Sequence, residues 1–151
     1  VSVTAGCATG PFDSVASRFK YRVPFDVAPA QVADADRVEI TELWGTRPKI
    51  EVGGDYLVVG RYRLQSLEQG RVCFYLTATN WDNSGSDTDL LRADASRGEG
   101  SFALVHAMPG PGEFHVSLSA WKGGDSVRLV NLYLKNSETR AGATTTAGRA
   151  P

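Results

Sequence analysis

Cysteine, histidine and methionine are scarce in this 151-residue chain, which holds two, two and one of them. So few thiol, imidazole and thioether groups leave little material for metal or redox chemistry. A dominant charge is missing as well: 16 Lys and Arg against 17 Asp and Glu leave a net charge of −1. A nucleic-acid-binding domain normally carries a basic excess to meet the phosphate backbone, so nucleic acid is not an expected partner. No apolar run approaches the roughly 18–20 residues that a membrane-spanning helix needs. Nor does any segment repeat apolar residues at helical period over three turns; Ala28 to Asp36 is Ala-rich, but Pro29 limits it to about one turn.

What is present is a composition of 42% hydrophobic and 22% charged residues, which excludes global disorder. The length suits one domain with one core. From residue 19 onward the chain reads as short β-rich runs over 19–27, 37–44, 55–65, 71–80, 89–95, 100–107, 113–121 and 126–134. Turn signals separate them at Gly53-Gly54, Glu68-Gln69-Gly70, Asn83-Ser84-Gly85, Gly98, Pro109 to Gly112 and Gly123-Gly124. About eight strands with such turns predict an all-β fold, an antiparallel β-sandwich of jelly-roll type.

Alternation assigns the faces. Val72, Phe74, Leu76 and Ala78 point one way; Cys73, Tyr75, Thr77, Thr79 and Trp81 point the other. Phe114, Val116, Leu118 and Ala120 likewise oppose His115, Ser117, Ser119 and Trp121, and Tyr56, Val58, Tyr62 and Leu64 oppose Leu57, Val59, Arg61 and Arg63. One-sided patterning of this kind predicts sheets with a buried face and a wetter one. The expected core is Phe74, Leu76, Phe102, Leu104, Phe114, Val116 and Leu118. Residues 1–18 read as an N-terminal arm, 19–134 as the β-domain and 135–151 as a low-complexity tail with no apolar face to bury.

The chain begins at Val1 rather than Met, which we read as an N-terminus that is trimmed or preceded by other residues, as export would produce. Thr4-Ala5-Gly6-Cys7 resembles a bacterial lipoprotein signal, with Thr4 where Leu is usual; that resemblance implies lipidation of Cys7. The plainer reading is a flexible arm with a chance Gly-Cys. A Cys7–Cys73 disulfide would need an oxidising compartment, and the expectation is that both thiols are free.

Three stretches resemble a bacterial β-sandwich domain, itself uncharacterised, of envelope- or signalling-associated proteins. They are Gly45-Thr46-Arg47 on to Val52-Gly53-Gly54-Asp55-Tyr56-Leu57-Val58-Val59-Gly60-Arg61-Tyr62, then Thr77-Ala78-Thr79-Asn80-Trp81-Asp82-Asn83-Ser84-Gly85, and Leu104 through Leu118. The resemblance covers residues 38–121. It implies a fold and an extracytoplasmic setting, in the periplasm or cell envelope, and brings no catalytic residues.

Chemistry-bearing constellations are few. His106 and His115 each fall within a strand and away from any Gly-x-Ser-x-Gly turn, so they read as strand histidines satisfied by hydrogen bonds. The glycine pairs are turn glycines, since no strand–loop–helix context exists to hold a phosphate. No enzyme is expected. The run from Asp82 to Asp89 packs three carboxylates, Asp82, Asp87 and Asp89, among other oxygen donors; calcium takes such donors, and a solvated turn uses them equally. No other cofactor is expected.

The most informative set is the outward one: Tyr75, Thr77, Thr79 and Trp81 with His115, Ser117, Ser119 and Trp121. On neighbouring strands these would form a face of indoles, phenol, imidazole and hydroxyls. Sugars stack on such faces, protein partners use the same residues as binding hot spots, and the aromatics could equally pack under loops. The leading expectation is a non-catalytic protein-interaction subunit of an envelope or membrane-associated complex, with a lipid anchor an option. The alternatives are a carbohydrate-binding module and a small ligand-sensing domain.

Overall fold

The computed structural model describes residues 18–82 and 91–137. They form seven antiparallel strands: β1 (Tyr21–Arg22), β2 (Phe25–Gln31), β3 (Arg37–Gly45), β4 (Asp55–Ala78), β5 (Arg92–Ala107), β6 (Gly112–Lys122) and β7 (Asp125–Asn136). The strands lie in one sheet in the order β1-β3-β4-β6-β7-β2, with β5 on the opposite side of β4. This sheet is curled into a half-barrel.

The curl comes from β4 and β5, which are longer than the sequence suggested. The runs 55–65 and 71–80, expected as two strands, belong to one strand of 24 residues. The runs 89–95 and 100–107 likewise give one strand beginning at Arg92, while 19–27 is divided between β1 and β2. The described residues thus hold seven strands, in keeping with the expected count of about eight, but with different boundaries. Glu68-Gln69-Gly70 and Gly98 mark a bend, not a turn. Register jumps there from Leu64↔Gly98 to Gln69↔Ser96, so residues 65–68 of β4 stand opposite Arg97 alone. Extra residues on one strand bend it and sharpen its twist. Gly98 sits at φ 113°, a backbone state that costs glycine little and other residues much.

Asp36 secures the bend. Its carboxylate accepts hydrogen bonds from the Ser66 hydroxyl at 2.6 Å and from the amides of Gln65 and Ser66 at 2.8 and 3.1 Å. Burial pushes the Asp36 carboxyl up, and these three bonds to its ionised form outweigh that, leaving it below its ordinary value.

Because of the bend, β3 pairs with the first half of β4 and β6 with the second half. The two halves meet inside the curl, where the rings of Tyr56 and Phe114 lie edge to face at 5.4 Å. All seven expected core residues are buried, joined by Tyr56, Val58, Leu64, Val72, Val130, Leu132 and Leu134 among others. Residues 21–31 cross between the ends of the sheet: β1 pairs with β3, Val23 N–H donates to Leu43 at 2.7 Å, and β2 pairs with β7. Pro29, read as a helix limit, is tolerated because β2 is an edge strand. A smaller cluster of Phe19, Leu57 and Val105 lies on the outer side of β4 and β5. Lys135 and Asn136, expected in the tail, extend β7 opposite Asp26 and Phe25. Cys73 is a buried free thiol; Cys7 lies outside the described residues.

Candidate functional site on the outer face of β4, β6 and β7

Register fixes which outward side chains are neighbours. Tyr75, His115 and Tyr133 form one row across β4, β6 and β7. The next row toward the bend is Arg92, Cys73, Ser117 and Asn131, starting from β5, and the one after is Asp94, Arg71, Ser119 and Arg128. Trp121 and Gln69 lie one step further, at the bend. The expected members Tyr75, Thr77, His115, Ser117, Ser119 and Trp121 therefore do share a face.

The first row is a stack of rings. Tyr75 lies 5.2 Å from His115 at an interplanar angle of 34°, and Tyr133 lies 5.0 Å from His115 at 20°. Rings on adjacent strands this close cannot lie side by side in one plane. They stand up from the sheet and face each other, so outward they offer edges. The imidazole is held at both nitrogens: Nδ1–H donates to Asn131 Oδ1 at 2.8 Å, and the Thr77 hydroxyl donates to Nε2 at 3.1 Å.

This face is only in part the wet one that alternation predicted: Tyr75, Thr77 and Trp121 are exposed, but its middle is not. His115, Cys73, Ser117 and Asn131 are all buried, and Ser117 is 0% exposed with no hydrogen-bond partner for its hydroxyl among the described residues. Alternation tells which side of a sheet a residue occupies. It does not tell how far tall neighbours shade it, and here small residues stand between an aromatic row and long arginines.

Two expected members are elsewhere. β4 ends at Ala78, so alternation does not carry on to Thr79 and Trp81. Thr79 is exposed and its N–H donates to Pro111 O, after which Asn80 turns the chain at φ 61°. Trp81 then folds back, donates its indole N–H to Pro111 O and packs against the main core. Gly110 makes room for it, since a Cβ there would come within 2.6 Å of the indole. Of the three carboxylates expected to hold calcium, Asp82 is exposed, and Asp87 and Asp89 lie outside the described residues. Among the described residues no cluster of three or more His, Cys, Asp or Glu side chains could hold a metal ion, and no helix is long and apolar enough to cross a membrane.

Asn131 and Tyr133 were not among the expected site residues, although Val130, Leu132 and Leu134 alternate with them. Nor was Arg71, two residues from Cys73 on the same side. The Arg71 guanidinium carbon lies 5.2 Å from the centre of the Trp121 ring, and Arg71 Nε is 3.5 Å from Asp94 Oδ1.

Burial works against protonation of both histidines. Burial pushes His115 below its ordinary value against the opposing bond to Asn131, and burial does the same to His106 against its bond to Ala107 O. The unfolded chain takes up these protons as pH falls through about 6.5, whereas the folded chain does so only at lower pH. Stability is therefore expected to fall as pH drops from about 7.5 to about 5. A second loss, from Asp36, follows only below the ordinary carboxylate range. Urea unfolding across this span checks the sign; a stability flat or rising toward pH 5 would contradict it.

Comparison with protein-family models, with curated proteins and with solved structures finds no match for this chain. Its class rests on its own geometry: an all-β fold with seven strands among the described residues and a partly aromatic outer face.

Proposed function

We propose that this chain is a non-catalytic binding domain, an accessory or structural subunit of an envelope or membrane-associated assembly, that docks another protein through the outer face of β4, β6 and β7. We take the curl to be sandwich-like, of jelly-roll type, with the two halves of β4 serving opposed layers. The observation that carries the docking reading is the Tyr75–His115–Tyr133 row. Stacked rings of fixed orientation lose little entropy when a partner immobilises them, and Tyr75 at one end is still 41% exposed. Their faces are spent on one another, which suits the edge and hydroxyl contacts of a protein interface better than a sugar laid flat. Both imidazoles are engaged by neighbours, which supports the non-catalytic reading. The envelope setting rests on Thr4-Ala5-Gly6-Cys7 and the resemblance over residues 38–121.

Tyr75→Ala provides the test. In a pull-down from native membranes read by mass spectrometry, the wild-type chain is expected to enrich a discrete partner. The variant should hold that partner about tenfold or more weakly at unchanged thermal stability. Equal enrichment by the two would overturn the assignment.

A further inference from the structure

At the bend, a groove of about 550 Å³ opens between Gln69, Arg71, Asp94, Ser96 and Trp121. We infer that it binds a neutral carbohydrate, taking one or two hexopyranose units. The groove lies at the other end of the outer face from Tyr75, about 13 Å along β4, and the inference does not rest on the docking reading.

Four observations carry it. Trp121 is 39% exposed although Arg71 lies against its ring, so indole surface is left for another molecule. Arg71 Nε is buried with no hydrogen-bond partner among the described residues, and Asp94 Oδ1 at 3.5 Å is too far to supply one. The Oδ1 lone pairs are therefore not spent on that N–H, and the carboxylate, exposed at the rim, can accept from a hydroxyl of a bound molecule. Gln69 and Ser96, paired across β4 and β5, add an amide and a second hydroxyl to the rim.

Sugars combine what this lining requires: a ring face of weakly positive C–H groups for the indole and a surround of hydroxyls for the polar groups. An anionic ligand would meet the Asp94 carboxylate, whose side chain is 90% exposed at the rim. An apolar ligand would take the Arg71–Asp94 ion pair out of water and offer its polar atoms no hydrogen bonds in return. The volume lies within the range of about 300–1,000 Å³ usual for small-ligand sites.

The test is tryptophan fluorescence and isothermal titration of the full chain with four neutral pentasaccharides (cello-, malto-, manno- and laminaripentaose) and an oligogalacturonide as the acidic control. At least one neutral pentasaccharide is expected to bind saturably. Trp121→Ala and Asp94→Asn should each weaken it about tenfold or more, while Tyr75→Ala leaves it unchanged. Asp94→Asn changes an exposed side chain and keeps the result readable if the tryptophan variant fails to fold. Binding of none of the four, binding of the oligogalacturonide alone, or wild-type affinity in both groove variants would overturn the inference.

Discussion

Phe114→Ala is expected to destabilise the domain by about 3–5 kcal/mol, shown as an earlier urea midpoint with little change in slope. The ring is fully buried where the two halves of the curl meet: it lies 4.8 Å from Phe74, 5.4 Å from Tyr56 and 5.6 Å from His106. Those neighbours stand on β4 and β5, whose backbones cannot close over the space, so most of the lost volume would persist as a cavity. Phe114→Leu keeps much of that volume and should cost markedly less. An unchanged midpoint for the alanine variant would mean that β6 presents its other face to the core.

Tyr56→Ala should cost a similar amount, about 3–5 kcal/mol, by a different division of causes. Its ring is fully buried against Phe114, and its hydroxyl is the anchor of the connection from β3 to β4. That hydroxyl donates to Lys49 O at 2.6 Å and accepts from Glu51 N–H at 2.8 Å. The same connection is tied to the end of β7 by a reciprocal amide pair, Ile50 N–H to Asn136 Oδ1 and Asn136 Nδ2–H to Ile50 O, each at 2.9 Å. Tyr56→Phe isolates the hydroxyl and should cost about 1–3 kcal/mol, because it strands two partly buried backbone groups. Hydrogen exchange should show the loss at Glu51 N–H first, with β6 and β7 protected as before. Uniform loss of protection across the sheet would show that the hydroxyl supports the whole fold and not this connection.

The faces of the sheet were legible in the sequence because side-chain direction in a strand has a period of two and depends on nothing distant. Phe74, Leu76, Phe114, Val116 and Leu118 are buried where alternation put them. The same rule brings Tyr75, Thr77, His115, Ser117 and Ser119 to one side. It fails at Trp81, where the strand has already ended and a left-handed Asn80 reverses the chain. The groove at the bend was less legible still. Asp94 and Ser96 reach Arg71 and Trp121 only through the register of β5 on β4, a pairing between segments more than twenty residues apart.

The sequence by itself thus determined an all-β chain, its core and, as far as the strands run, the membership of its two faces, all of them consequences of local period and hydrophobicity. The tertiary structure alone decided that 55–65 and 71–80 are one bent strand, that the sheet curls, and that His115 and Ser117 are buried on the face expected to be wet. The reason is physical. Glycine and polar residues are equally at home in a turn and in a bulge, so Glu68-Gln69-Gly70 and Gly98 could not declare which they form. Burial, in turn, depends on the height of cross-strand neighbours, and those neighbours are chosen by register, which the pairing of distant segments sets.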